Sequence, residues 1–495
     1  MNMRIRGLAA AVGVLIAVTS SGPSAAADYW WVGGNGAYWD SFGLPAWRDT
    51  AGYAGGGGGN LVQPQAGDSV FVMNNSASDF TARYWNTAYP GAVLKDLQVG
   101  SLASGAMTIS FTEALSPTTV NTHSLQTRRA LIGVYGYGVV DQAYGNVTVH
   151  DAFHLGFLLG SYGFYRLSQG ATLDSRGVTE IGGSGSGGRL SVESGSVFTS
   201  GFVWLGSSPG ARVSVTGAGS KWLSSSGIAL GGGGDVGRLD IEDGGAVESA
   251  SLSVSSESAL NLSNGALRSG RVSNAGRILL TGGVSAIASS LTAEAGSQII
   301  LSGDATTTFD GKTEIRDGAE LQVAAGSMAI FLGAVEQRSG ALLTGTGNKF
   351  YAAGLSVGAS PGSASDAGSV TFGDNNVYLA EIGGTAPGLG HDFYDVAGVL
   401  SLGGTLKLVS WEGFVAQAGQ RFDLFDWGNV QGEFGDIDAS GFLLAGGVQL
   451  DMSRLYIDGS IAVQAVPEPG SWALSLAGLG VIAGAMARRR QKRTH

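Results

Sequence analysis

The stretch that decides the fold is a motif that recurs as GRLSVESG at 188–195, ARVSVTG at 211–217 and GRLDIEDG at 237–244. Looser copies precede it, GNVTVHD at 145–151 and YRLSQG at 165–170, so that successive copies lie 20, 23, 23 and 26 residues apart, counted between their second letters. Each copy alternates apolar and polar residues, which is the period of a strand with one buried face. A repeat of this length is typical of a solenoid, because a short strand pair cannot bury its own face and stacked repeats can.

The alternation predicts which side chains stack inside the solenoid. A parallel β-helix places like positions above one another, at the strand spacing of ~4.8 Å, with roughly 12 coils between residues 100 and 380. We expect two interior ladders, one of Leu190, Val213 and Leu239 and one of Val192, Val215 and Ile241. An antiparallel β-sandwich is the alternative, and it predicts no ladders of like motif positions.

The arginines of the motif are predicted to form an outward column that carboxylates neutralise. Its members would be Arg166, Arg189, Arg212 and Arg238, with Glu193, Asp240 and Asp243 between them. Such a column is either a track for an acidic polysaccharide or a solvated face, and we favour the solvated face because exposed charges are screened.

Composition excludes several classes of protein. The chain has 495 residues and 84 glycines without a period of three, which excludes collagen. It has no cysteine, which excludes a disulfide framework, thiolate zinc sites and cysteine nucleophiles. Without residues 1–27 and 469–495 the body has 21 basic and 39 acidic residues, a net charge of −18. We therefore expect no nucleic-acid partner.

Both ends of the chain look like targeting segments. Residues 1–27 have Arg4 and Arg6, an apolar run and a small-residue end, which predicts a signal peptide cleaved between Ala27 and Asp28. An uncleaved N-terminal anchor is the alternative.

The C-terminal segment combines a turn, an apolar run and a basic tip. The run 472–487 predicts a short transmembrane helix of about 24 Å, with its tip on the cytoplasmic side. The turn of the segment contains Val466, Pro467, Glu468 and Pro469. The run contains Trp472, Leu479 and Ala487, and the tip contains Arg488, Arg489 and Arg490.

Aromatic residues mark the two ends of the β region. Trp31, Trp39 and Trp47 are spaced eight apart and are predicted to plug the core, with carbohydrate stacking as the alternative. A solenoid needs a cap, because its last coil leaves an unpaired strand edge. At the other end the bulky residues suited to closing the core are Phe422, Leu424, Phe425 and Trp427.

The C-terminal segment resembles the PEP-CTERM sorting signal of Gram-negative bacteria. The resemblance rests on the order of the three parts: Pro-Glu-Pro, apolar run and arginines. It implies recognition and processing near Pro-Glu-Pro by an exosortase, a membrane-embedded enzyme, and an association with bacteria that make exopolysaccharide.

The body resembles the passengers of autotransporter proteins. The resemblance rests on the repeats, on WVGGNGAYWD at 31–40 and on short stretches such as SPG at 360–362, EIGG at 381–384, YDV at 394–396, GGTLKL at 403–408 and GQRFDLFDWG at 419–428. It implies a β-helix and no activity. A true autotransporter ends in a membrane β-barrel where this chain has one apolar run, so we expect another export route.

The sequence predicts no catalytic residue, metal or cofactor. Two G-x-S-x-G matches, at 206–210 and 358–362, place Pro209 and Pro361 where a hydrolase needs a backbone N–H, so we interpret them as turns. A calcium ion between Asp392 and Asp395, or a metal on His150 and His154, is the alternative.

The predicted fold is all-β: a right-handed parallel β-helix (solenoid) with a terminal β cap, an N-terminal signal helix and one short C-terminal transmembrane helix. The predicted divisions are 1–27 signal peptide, 28–130 N-terminal β region, 131–353 β-helix repeats, 354–465 C-terminal β unit and 466–495 sorting signal. The predicted function is a secreted, non-enzymatic protein of the cell surface or extracellular matrix. It passes the inner membrane transiently, with exosortase and exopolysaccharide as partners. A polysaccharide-binding adhesin or a polysaccharide-degrading β-helix enzyme is the alternative.

Overall fold

The fold is a parallel β-helix of about 13 coils, seen in a computed structural model. The structure describes residues 28–31, 35, 47–48, 64–84, 93–111, 124–183, 185–206, 210–358, 361–466 and 471–491. Each coil contributes a strand to each of three parallel ladders, which we call the first, second and third face. The N-terminal strands are β1 Asp28–Trp31, β2 Trp47–Arg48, β3 Ser69–Asn74, β4 Phe80–Arg83, β5 Val93–Ser101, β6 Met107–Ser110, β7 Ser124–Ile132, β8 Tyr137–Gln142, β9 Asn146–Leu155, β10 Tyr162–Leu167, β11 Thr172–Ser175 and β12 Val178–Ile181.

The middle coils contain the repeated motif on the first face. Their strands are β13 Gly187–Glu193, β14 Val197–Ser200, β15 Val203–Leu205, β16 Ala211–Thr216, β17 Lys221–Leu230, β18 Gly237–Glu242, β19 Ala246–Val254, β20 Ala259–Ser263, β21 Ala266–Asn274, β22 Arg277–Thr281, β23 Val284–Ala293 and β24 Gln298–Ser302. Long strands such as β17 bend from the second face into the third, with a register shift between Ser224 and Gly227.

The C-terminal coils continue the stack and end in a small separate sheet. Their strands are β25 Thr306–Phe309, β26 Thr313–Ile315, β27 Glu320–Val323, β28 Met328–Phe331, β29 Val335–Gln337, β30 Leu342–Thr344, β31 Asn348–Tyr351, β32 Gly354–Val357, β33 Ser363–Asp366, β34 Ser369–Phe372, β35 Val377–Ile382, β36 Phe393–Leu402, β37 Thr405–Ser410, β38 Arg421–Asp423, β39 Phe425–Gly432, β40 Asp436–Gly441, β41 Val448–Asp451 and β42 Ser460–Ala465. The helices are a 3₁₀ turn at Trp411–Gly413, α1 at Leu455–Asp458 and α2 at Ser471–Gln491.

The two interior ladders predicted from the repeats are confirmed. Leu190 pairs in register with Val213, and Val213 with Leu239, while Val192, Val215 and Ile241 stack in the same order. All six side chains are fully buried. The predicted number of coils is also confirmed. Between residues 100 and 380 the described chain places on the first face the strands β6, β8, β10, β13, β16, β18, β20, β22, β24, β27, β30 and β33.

Some tight corners between the second and third faces require glycine. A Cβ on Gly177 would lie 1.9 Å from the carbonyl oxygen of Asp151 in the preceding coil, and one on Gly311 would lie 2.2 Å from that of Ser289. The backbones of successive coils therefore approach too closely there for a side chain. This explains part of the high glycine content.

The interior of the C-terminal coils is aromatic and partly charged. Phe309, Phe331 and Tyr351 stack with ring centroids 4.9 and 5.2 Å apart. Lys349 and Asp366 are both fully buried, and the Nζ of Lys349 lies 2.8 Å from Oδ1 of Asp366. This ion pair joins β31 to β33 inside the stack, and nothing in the sequence analysis predicted it.

Both ends of the stack are closed by aromatic residues. Trp31 packs edge-on against the fully buried Trp47, with centroids 5.4 Å apart, which agrees with the predicted plug. Trp39 lies outside the described residues. At the other end the antiparallel sheet β38-β42-β41 adjoins the last coil, where Phe422, Leu424 and Phe425 are buried and Trp427 packs against the core.

The divisions of the chain stay predictions. The ladders run on across residues 130–131, within β7, and across 353–354, where β32 pairs with both β29 and β35. The predicted signal peptide, including Ala27, lies outside the described residues, and Asp28 begins β1.

Candidate functional site: the sorting segment and the outer faces

The C-terminal segment leaves the body from a well-anchored strand. β42 pairs antiparallel with β38 and with β41, where Ala465 lies opposite Val448. The N–H of Val466 donates to the carbonyl of Gly447 at 2.9 Å, and the Val466 side chain is exposed. Val466, the last described residue before Pro467, is therefore hydrogen-bonded to the body.

The turn itself lies outside the described residues, which leaves out Pro467, Glu468 and Pro469. The predicted helix forms as α2, and it includes Trp472, Leu479, Ala487, Arg488, Arg489 and Arg490. The apolar side chains of α2 that the structure describes are exposed, namely Leu476, Leu479, Val481, Ile482 and Met486. A helix that is apolar around its circumference is not stable as a free surface in water, so α2 needs an apolar environment or a partner.

Among the described residues no helix is both long and apolar enough to cross a membrane. The transmembrane role of Trp472, Leu479 and Ala487 stays a prediction.

The arginine column is only partly as predicted. Arg189, Arg212 and Arg238 stack in register on the first face. Arg166 lies outside this column, because it pairs in register with Ser191 and binds Asp141 at 2.8 Å. The shift arises because YRLSQG aligns two residues out of phase with GRLSVESG.

Two of the stacked arginines share one buried carboxylate. The guanidinium groups of Arg212 and Arg238 lie 2.5 and 2.7 Å from the oxygens of Asp240, which is fully buried and also accepts from Asn261. Of the other predicted partners, Glu193 lies 3.6 Å from Arg166, and Asp243 occupies a turn at φ 53°. Like charges one coil apart are thus separated by an interleaved carboxylate, as a stable outer face requires.

Two titratable groups with shifted pKa values, Asp392 and His391, lie next to each other inside the C-terminal coils. Burial raises the pKa of Asp392 to about 7, although the N–H groups of Gly362 and Glu381 donate to its two oxygens. Burial also lowers the pKa of His391, whose ring nitrogens face the carbonyls of Gly384 and Asp423. These groups are enclosed by backbone, so they hold loops together and do not face a substrate.

The weak metal candidates do not converge. Asp392 points inward, whereas Asp395 points outward and accepts from Ser365. His150 contacts Gln126, and His154 contacts Glu180. Within the described ranges no group of three or more His, Asp or Glu side chains could hold a metal. The serines of the two G-x-S-x-G matches lie outside those ranges.

Of the tryptophans that the sequence singled out at the N-terminus, the two that the structure describes, Trp31 and Trp47, are buried. Trp31 is buried against Trp47, so it cannot stack on a sugar. Phe202 and Trp204 are exposed on the third face instead. The sequence carried the signal, because Val203 and Leu205 alternate with them in FVWLG and fill the interior.

Comparison with known proteins identifies the C-terminal segment. Residues 465–491 match the PEP-CTERM protein-sorting motif, so the chain carries this motif at its C-terminus. The motif implies processing by an exosortase, with export and membrane passage for sorting. Among solved structures, the TibC-catalyzed hyper-glycosylated TibA55-350 fragment is similar at 16% identity and a TM-score of 0.23, covering 75% of this chain and 100% of the fragment. No curated protein matches the sequence.

Proposed function

We propose that this protein is an exported, non-enzymatic structural rod of the cell surface or extracellular matrix. An exosortase processes it at its C-terminal segment, and it associates with exopolysaccharide. The observation that carries the proposal is the match of residues 465–491 to the sorting motif, on a segment that follows directly from the last strand of the body.

The geometry around the motif supports processing there. β42 is held on both sides by β38 and β41, so the body ends in a fixed strand. Proline has no backbone N–H, so Pro467 and Pro469 have none to donate to a strand ladder or a helix. An enzyme can bind such a segment without unfolding the β-helix.

The β-helix supports a structural role. On its third face one ion-pair network links successive coils. The network joins Glu294 to Arg316, Arg316 to Glu314, Glu314 to Arg338, Arg338 to Glu336, and Glu336 to Lys312. Networks of several charges stabilise a surface more than isolated pairs do.

Deleting residues 467–495 tests the proposal in the producing bacterium. We expect the truncated protein to lose envelope retention or correct processing, as measured by immunoblots of cell, membrane and medium fractions. Replacing Pro467, Glu468 and Pro469 together with alanine should have the same effect. The control is Gly480→Ala, which leaves the turn and the basic tip intact and should be sorted normally. If the deletion variant localises and matures like the wild type, the sorting proposal is wrong.

A further inference from the structure

Two large aromatic side chains lie on the solvent side of the third face. Trp204 is 42% exposed and Phe202, the residue before β15, is 49% exposed. Val178, in the preceding coil, is 59% exposed. Isolated exposed apolar residues are ordinary, but two neighbouring aromatic residues in one coil form a surface that a ligand can use. We call Phe202 and Trp204 the aromatic platform.

The coils after the platform leave room for its rings. Trp204 pairs in register with Ala229, and Ala229 with Ser253. The ring of Phe202 lies 3.7 Å from the point that a Cβ of Gly227 would occupy, so the ring leans over a residue without a side chain. Only small residues follow along the ladder, and no bulky side chain covers the two rings from that direction.

A shallow and largely apolar groove lies at the corner between the second and third faces, and one of its lining residues, Thr199, precedes Phe202 closely in the chain. Leu223 lines the groove, Thr199, Ser225 and Ser249 contribute hydroxyl groups, and Glu248 and Arg268 contribute opposite charges. Gly201 connects the groove to Phe202 along the chain, and the hydroxyl of Ser225 donates to the carbonyl of Ser200 at 3.2 Å.

The two charged groups of the groove are not used by the protein. Glu248 and Arg268 lie opposite each other in register on β19 and β21. Both are exposed, and neither forms a hydrogen bond or an ion pair with another residue of the described chain. The groove thus offers a free acceptor and a free donor beside an aromatic surface.

We infer that the aromatic platform and the corner groove bind a neutral polysaccharide. A pyranose ring has an apolar C–H face that packs on an aromatic ring, and hydroxyl groups at its edge that take both donors and acceptors. An acidic polymer is disfavoured by the net charge of the body, and the neighbouring opposite charges of Glu248 and Arg268 leave the groove without a net charge that would select a charged polymer. This inference rests on the proposed function, because that function places the protein among exopolysaccharides. It adds the class of glycan that the β-helix binds.

Binding of purified full-length protein to glycans tests the inference. The probes are a soluble neutral glucan, a neutral galactomannan and alginate, a uronate polymer, each used in affinity gel electrophoresis. We expect retardation by at least one neutral polymer and none by alginate. Trp204→Ala and Phe202→Ala should each weaken binding by about tenfold, since such anchors dominate small interfaces.

Matched variants separate binding from folding. Tyr137→Ala removes an aromatic side chain of similar exposure from the first face and should leave binding unchanged. Glu248→Gln and Arg268→Gln keep the shape of the groove and should each weaken binding, even if the aromatic variants misfold.

Three binding results would overturn the inference. They are absence of retardation by both neutral polymers, retention of full affinity in Trp204→Ala with a native circular dichroism spectrum, and a preference for alginate. A change of oligomeric state in Trp204→Ala without glycan binding would assign the platform to a second copy and overturn it as well. None of these outcomes depends on sorting, which the tail deletion tests separately.

Discussion

The middle and the C-terminal coils share one backbone architecture and differ in what fills it. On the first face of the middle coils the interior is two ladders of Leu, Val and Ile. The C-terminal coils enclose stacked aromatic rings, the ion pair of Lys349 and Asp366, and the buried Asp392 and His391. The alternation of apolar and polar residues determines which side chains point inward in both regions. The chemical identity of those side chains then determines how far the stability of a coil depends on one specific buried partner residue.

The largest expected effect comes from breaking the buried ion pair. Lys349→Met leaves the Asp366 carboxylate buried without its partner, and such a change costs about 3–5 kcal/mol of unfolding free energy. Chemical denaturation followed by circular dichroism measures it. The control is Lys349→Met combined with Asp366→Leu, which should recover most of the loss because an apolar pair of similar volume is tolerated. A cost below about 1 kcal/mol for the single variant would contradict burial of the pair.

A cavity in the apolar ladder of the middle coils should cost slightly less. Leu239→Ala removes buried methyl groups between Val213 and Leu260, and buried Leu→Ala changes cost about 2–5 kcal/mol. The same denaturation experiment measures it, with Glu242→Ala on the outward side of β18 as the control, expected within about 0.5 kcal/mol of wild type. An equal loss of unfolding free energy in the two variants would contradict the assignment of Leu239 to the interior and Glu242 to the outer face.

Stability should also depend on pH through the C-terminal coils. Because the folded pKa of Asp392 is raised from 3.8 to about 7, its contribution is fully present below the unfolded value and is lost as the pH rises towards 7. The difference in unfolding free energy between wild type and Asp392→Asn should therefore fall between about pH 4 and pH 7. His391 is present in both proteins, so its own titration largely cancels. A difference that does not change over this range would show that Asp392 is not desolvated in solution.

The smallest effect is expected at the surface pair that lies outside the arginine column. Arg166 and Asp141 are partly exposed, and breaking such pairs costs about 0.2–1 kcal/mol. Arg166→Ala should show this small loss, and salt should reduce it further. Asp240→Asn is the comparison, since its carboxylate is fully buried between two arginines and should cost more. A larger loss in Arg166→Ala than in Asp240→Asn would reverse the assignment of the two sites.

The repeats were sufficient to predict the fold because the ladder positions depend only on period and alternation. Leu190, Val213 and Leu239 follow from counting along the motif, and no long-range information is needed. The same counting failed for Arg166, because the motif at 165–170 is two residues out of phase, and only the pairing register reveals that.

Other features could not be predicted from the pattern. The sequence NKFY at 348–351 does not predict that Lys349 forms an ion pair with Asp366. Asp366 lies in the next coil, and its position depends on the lengths of the loops between β31 and β33. The exposure of Trp204 could be predicted from the sequence, since the alternation in FVWLG places its side chain outward. The eight-residue spacing of the N-terminal tryptophans placed the alternative of a stacking surface there instead, although Trp31 and Trp47 are both buried. The sorting motif was predictable because it is a linear segment that an enzyme reads without the fold.

The most direct test of the proposed export and sorting is the intact mass of the cell-associated mature protein. We predict a chain that begins at Asp28 and has lost the segment that follows the Pro-Glu-Pro turn, so that one measurement reports both processing sites. A mature protein whose mass includes residues 1–27, or the complete segment 467–495, would contradict the account.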